Sequence, residues 1–201
     1  NLSFKYPDNF DKHRDEIQIK KRIRQIREEV KPYLKDDNWE VFCSDETRLQ
    51  EDCLTRRAWL RKGEKTVIKV ERSKNSQNYI GFLNQKNSKC ELYEIDSGNQ
   101  AEIIKVLKKF LLKYPKKRIC VVWDNAKFHK GKHIQKQLAK GGIMERVHLI
   151  NFPPYAPETN PIEHVWNTMK HLIFKLDLEN FEVTKEKFFN LTNIQTFNYR
   201  I

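Results

Sequence analysis

What this sequence lacks narrows it first. No apolar run is long enough to span a membrane, and no signal-peptide core is present. The four cysteines, Cys43, Cys53, Cys90 and Cys120, form no CxxC pair, which argues against a structural zinc site. Cys43 and Cys120 sit inside apolar strand-like runs and read as small buried hydrophobes, a usage that fits a reducing, intracellular compartment better than secretion. No internal repeat is visible. The first residue is Asn rather than Met, so the expectation is a piece of a longer protein.

Acidic residues are in deficit. Against 39 Lys and Arg there are 27 Asp and Glu, a formal net charge of +12. Such an excess speaks to partners rather than to fold. Nucleic acid is the leading partner, because Lys and Arg contacts release condensed counterions; a basic surface that touches no polyanion is the plainer alternative. The 201 residues suit one domain with an additional arm, and 38% hydrophobic content suffices for a core.

Along the chain, residues 11–33 read as a charged helix with one narrow apolar stripe, Ile19, Ile23, Ile26 and Val30, opposite Lys20, Lys21, Arg22, Arg24 and Arg27. That helix could pack on the domain, on a partner or along a phosphate backbone. Trp39–Ser44 is a short strand that is expected to end at Asp45, followed by an Arg-rich loop. Residues 66–70, 79–84 and 91–95 look like a meander of strands, and 99–114 like an amphipathic helix. Arg118–Trp123 is a nearly continuous apolar run, as in a strand buried on both faces, and it too ends in an acid, Asp124. A helix over 130–140, a strand over 147–152 and a non-helical Pro-Pro-Tyr-Ala-Pro loop follow. Asn160 then caps a helix with Pro161 at its first position. Residues 177–201 have no clear period. The order of elements indicates an α/β fold, a mixed sheet with helices on its faces.

Two strands ending in aspartate and a helix opening with glutamate suggest a shared site. If the strands are adjacent and parallel, Asp45 and Asp124 converge, and Glu163 in the first turn of a helix laid on the sheet completes a set of three carboxylates. Like charges so gathered are unfavourable without cations, and all-oxygen ligands select Mg²⁺ or Mn²⁺. Two such ions would clamp the attacking and leaving oxygens of a phosphoryl displacement. Each acid also has an ordinary use. Asp45 and Asp124 suit strand-end turns, and Glu163, three residues after Asn160, stands where a capping-box glutamate reaches back to the N-cap amide.

The wider motifs favour the site. SDET (44–47), WLRKG (59–63), WDNAKFHK (123–130) and FPPYAPETNPIEHVW (152–166) together resemble the IS630/Tc1/mariner superfamily of transposases over roughly residues 40–176. The last motif is the most specific of them. That resemblance implies an RNase H-like fold in which Asp45, Asp124 and Glu163 are the DDE ligands of two Mg²⁺ ions, with Mn²⁺ as a substitute. It implies cut-and-paste transposition: strand cleavage by water, then transfer of the freed 3′-hydroxyl into target DNA, typically at TA, by a dimer or larger assembly on DNA. Glu as third acid resembles the IS630 and Tc1 branches, although the 38 residues between Asp124 and Glu163 exceed the usual Tc1 spacing. Nothing resembles the complete helix-turn-helix module that members carry near the N-terminus. The division expected is a basic arm and helix over 1–36, the catalytic domain over 37–176 and a tail over 177–201.

Supporting residues remain open between two uses. Asn125 suits orienting Asp124 or making a turn. His129 suits a scissile-strand phosphate or a helix cap, and His164 an approach to the metals or the surface. Trp59, among Arg56, Arg57, Arg61 and Lys62, suits base stacking beside phosphates or anchoring its own loop. Trp123 and Trp166 read as core. Lys127, Lys130 and Lys132 are the best candidates for substrate phosphates. A nuclease that hydrolyses without joining, and a DNA-binding protein that has kept the fold without the enzyme, are the competing readings.

Overall fold

The computed structural model describes residues 11–51, 61–65, 67, 75–125, 131–174 and 180–201. Among them, one mixed sheet carries five strands: β1 (Trp39–Gln50), β2 (Ser76–Asn84), β3 (Cys90–Ile95), β4 (Arg118–Trp123) and β5 (Val147–Asn151), in the order β3-β2-β1-β4-β5. β1, β2 and β3 run as an antiparallel meander, whereas β4 and β5 join β1 in parallel. β4 lies inside the sheet between β1 and β5, and its last five residues are buried, as its unbroken apolar run requires.

Among the described residues five α-helices cover the sheet: α1 (Glu16–Lys35), α2 (Gln100–Leu112), α3 (Lys132–Leu138), α4 (Pro161–Phe174) and α5 (Phe181–Ile194). Side chains set three starts. Asp15 accepts from the amides of Ile17 and Gln18, Asn99 from Glu102, and Asn180 from Val183, each satisfying amides that have no partner within the helix.

Strand alternation divides the core in two. Val41, Cys43 and Leu49 of β1 face a cluster built with α1, α4 and α5. Phe42, between them, faces a second cluster built mainly from α2, α3 and the other side of the sheet. Cys43 and Cys120 are buried, as their apolar surroundings predict.

Three expectations change. β1 does not stop at Asp45 but continues to Gln50, because β2 pairs with it residue for residue from Phe42↔Asn84 to Gln50↔Ser76. The first helix starts at Glu16, where Asp15 caps it, rather than at Asp11. The 177–201 segment contains α5, whose Phe181 and Phe188, seven residues apart, join the same cluster as Ile26 and Val30 of α1. Beyond α5 the chain returns to the β2–β3 turn, where the Phe197 amide donates to the Ser88 carbonyl at 2.8 Å. The strand expected at 66–70 lies largely outside the described residues.

Candidate active site

The parity that buries Cys43 carries Asp45 to the α4 face of the sheet, two residues further on. The parallel register pairs Cys43 with Val122, so two residues along each strand Asp45 stands level with Asp124. A cavity of about 330 Å³ opens there, lined by Asp45, Asp124, Asn125, Asn160 and Glu163 and roofed by the 152–157 loop.

The loop is held at several points. The Phe152 amide donates to the Trp123 carbonyl at 2.8 Å, and the Asn125 side-chain amide donates to the Phe152 carbonyl, so the exit of β4 is tied to the exit of β5. Tyr155 has a positive φ of 57°, a conformation unfavourable for a bulky residue that the flanking prolines and their contacts must maintain. Arg14, just ahead of α1, grips the far side by donating to the Tyr155 carbonyl at 2.8 Å and pairing with Glu158 at 2.5 Å. These contacts hold the Glu158 carboxylate below its ordinary pKa, chiefly through the hydrogen bond from Arg14.

Asn160 places α4 on the sheet. Its buried side chain donates to the Ser44 carbonyl at 3.2 Å and accepts from the Ile162 amide at 3.4 Å. Glu163 does not close a capping box, since the Asn160 amide is already taken by the Pro157 carbonyl. Its carboxyl group instead lines the cavity beside that of Asp45, close enough for the two to perturb each other's ionisation.

The electrostatics fit this proximity. Burial, then the charges of Glu163, Glu46 and Asp124, push Asp45 up to about 8, against a smaller opposing effect of the hydrogen bond from Trp166. Burial also raises Glu163, opposed by the positive charge of Lys170. Without a cation, both shifts favour the protonated, less charged forms of these acids. Among the described residues no three His, Cys, Asp or Glu side chains are drawn close enough to cage an ion as they stand. The acids that line the cavity are nonetheless all carboxylates, oxygen donors that suit a hard divalent cation.

Among the other candidates, Asn125 lines the cavity. Arg61, Lys62 and Lys132 are described and exposed, Arg61 lying 3.6 Å from Glu64. Arg56, Arg57, Trp59, Lys127, His129 and Lys130 lie outside the described residues. His164 is exposed, its ring 5.3 Å from that of Tyr199, and it belongs to the packing of the C-terminal segment. Sequence reasoning missed Lys170. It stands two helical turns after Glu163 on the same face of α4, is half-buried, and its ammonium is lowered by burial against the raising charges of Glu163 and Asp45. The seven-residue spacing from Glu163 was the available signal.

The profile of the DDE superfamily endonucleases matches residues 40–185. A comparison with curated proteins finds no match. Solved structures with a similar fold include a pre-cleavage Mos1 transpososome, at 13% identity and a TM-score of 0.68 over 97% of this chain and 60% of that one. The catalytic domain of Mos1 mariner transposase matches at 15% identity and a TM-score of 0.56, over 91% of this chain and 84% of that one. A simian T-cell lymphotropic virus intasome matches at 10% identity and a TM-score of 0.51, over 80% of this chain and 51% of that one. This chain thus spans about 60% of the length of the transpososome protein. The mixed sheet with helices on both faces is RNase H-like, as expected from the motifs. With the matched span covering both aspartates, the Pro-rich loop and all of α4, this chain belongs to the DDE superfamily endonucleases.

Proposed function

We propose that this chain is the catalytic domain of a transposase of the IS630/Tc1/mariner superfamily, cleaving DNA strands and joining the freed 3′-ends to a target. The observation that carries the reading is the single cavity that Asp45, Asp124 and Glu163 line together, with Asp45 and Glu163 near enough to perturb each other's ionisation. These three acids would hold Mg²⁺ or Mn²⁺, and Mos1 paired-end complexes have been solved with each of those metals. When bound, divalent cations would neutralise charge on the reacting phosphate and raise the nucleophilicity of water or a 3′-hydroxyl.

The protein's own part is positioning and electrostatics. Asn160 holds Glu163 against β1, Asn125 braces the exit of β4, and the ammonium of Lys170 limits the repulsion around Glu163. A second cavity of about 400 Å³ shares Asn125 and residues 152–155 with the first and is lined from α1 by Lys21 and Arg22. DNA phosphates would run along that wall into the acidic cavity, with Arg61, Lys62 and Lys132 as further contacts. Cleavage and joining of two ends implies a dimer or larger assembly on DNA, hence an intracellular, DNA-associated protein.

The test uses pre-cleaved ends of the element that encodes this chain, a plasmid target and Mg²⁺. Joined products are expected from the native chain, and none from Asp45→Ala, Asp124→Ala or Glu163→Ala, each of which should still bind DNA. Cutting without joining would make the protein a nuclease. Undiminished Mg²⁺-dependent cutting by any of the three variants would remove that acid from the site.

A further inference from the structure

Asp45 lies in mid-strand rather than in a loop, and its side chain needs a defined direction. Directly opposite, on β2, stands Gly81. Its backbone does not lie in the left-handed region, so conformational freedom is not the reason for a glycine there. Space is. A Cβ at that position would overlap the Trp166 ring, with Cζ2 at 2.9 Å, and would press on Ile162 Cδ1 at 3.1 Å. Opposed residues on antiparallel strands project to the same face, so the side chain missing at Gly81 leaves a notch beside Asp45.

Trp166 fills the notch. It follows Glu163 by three residues on the same face of α4, is 2% exposed, and donates from Nε1 to Asp45 Oδ2 at 3.2 Å. A buried indole requires such an acceptor, since an unpaired N–H in the core is costly. A phenylalanine would fill similar space without the N–H, so packing alone does not call for this side chain. One short helical segment therefore presents Glu163 to the cavity and, through Trp166, grips the carboxylate that Glu163 meets.

We infer that Trp166 is a positioning residue for Asp45. Its indole N–H, admitted by the notch at Gly81, commits Oδ2 and leaves Oδ1 as the oxygen that receives a divalent cation. The inference rests on the proposed role of Asp45 as a metal ligand. It adds a partner that orients the ligand, of the kind whose loss weakens metal affinity roughly 10–100-fold.

The experiment is calorimetric titration of the full chain with Mn²⁺, for the native protein, Trp166→Phe and Asp45→Asn. Trp166→Phe is expected to bind Mn²⁺ at least about 10-fold more weakly, while its melting temperature and DNA affinity stay near native values. Asp45→Asn is expected to lose the site. Native-like Mn²⁺ affinity in Trp166→Phe alongside loss in Asp45→Asn overturns the positioning role alone. Native-like affinity in Asp45→Asn overturns the metal site itself. Should Trp166→Phe fail to fold, the indole N–H resonances of the native protein decide. One of them should shift, and exchange faster with solvent, in Asp45→Asn. If all indole resonances coincide in the two proteins, no tryptophan N–H holds Asp45 and the inference falls.

Discussion

The two faces of the sheet are built from the same strands to opposite ends. Towards α2, Phe42, Phe82 and Phe110 interlock, Phe110 stacking on Phe82 with ring centroids 4.2 Å apart and meeting Phe42 edge-on at 4.8 Å. Towards α4, the same alternation begins as apolar with Val41 and Cys43 and is then broken by Asp45, with Glu163 and Lys170 set against it. One face is packed as a core throughout. The other is packed as well around Val41, Cys43 and Trp166 but opens at Asp45 into a buried, charged cavity, an arrangement costly in stability that the proposed chemistry would explain.

That contrast breaks most visibly at its apolar pole. Phe110→Ala removes a buried ring from the centre of the aromatic cluster and should cost about 3–5 kcal/mol, read from urea unfolding. Metal and DNA binding of the folded fraction should not change. A loss below ~1 kcal/mol would mean that the α2 face is not the stabilising one.

The opposite substitution should have the opposite sign. Asp45→Asn deletes a carboxylate raised by burial and by its acidic neighbours, so without added metal the variant should melt higher than the native chain. A gain of a few degrees is expected, each ~1 kcal/mol being worth roughly 2–4 °C in a domain of this size. Strand cleavage should disappear together with the stability penalty. A lower melting temperature would show that the carboxylate stabilises the metal-free fold.

The same group sets a pH dependence smaller than either mutational effect. Burial and its acidic neighbours push Asp45 up to about 8 in the folded chain, against an ordinary 3.8, so the folded state holds more protons throughout that window. Stability should therefore fall as pH rises from about 4 to 8, the reverse of the behaviour of a carboxylate in a salt bridge. Glu163 shifts in the same direction. Melting curves across that range should slope downwards for the native chain and less so for Asp45→Asn.

Much of this division can be read in the sequence, because hydrophobic period reports burial directly. The unbroken run from Arg118 to Trp123 marked a strand buried inside the sheet, and Asn99 with the Ile103, Val106, Leu107 and Phe110 stripe marked α2 to within two residues. That Asp45, Asp124 and Glu163 meet at one cavity was legible from motif and position. Their surroundings were not. β1 runs past Asp45 because β2, from some thirty residues away, pairs with it, and pairing is invisible to a local pattern. α5 was obscured because Phe181, Phe188 and Thr192 leave a sparse apolar stripe whose meaning depends on the cluster it meets. Trp166 read as core, which it is; its hydrogen bond to Asp45 depends on a glycine on another strand.

The smallest expected effect sharpens the comparison on the outer surface. Lys21 of α1 lines the cavity next to the acidic site, whereas Lys109 of α2 is exposed on the opposite side of the sheet. Net charge is common to both and cannot distinguish them. A path for DNA phosphates along the α1 wall can. Lys21→Ala should weaken DNA binding several-fold at moderate salt and reduce the slope of log affinity against log salt by about one, the amount expected for a single lost phosphate contact. Lys109→Ala should leave the slope unchanged while lowering overall charge equally. Equal responses from the two lysines would mean that DNA is attracted by the basic surface at large and that the cavity beside Asn125 does not direct the strand.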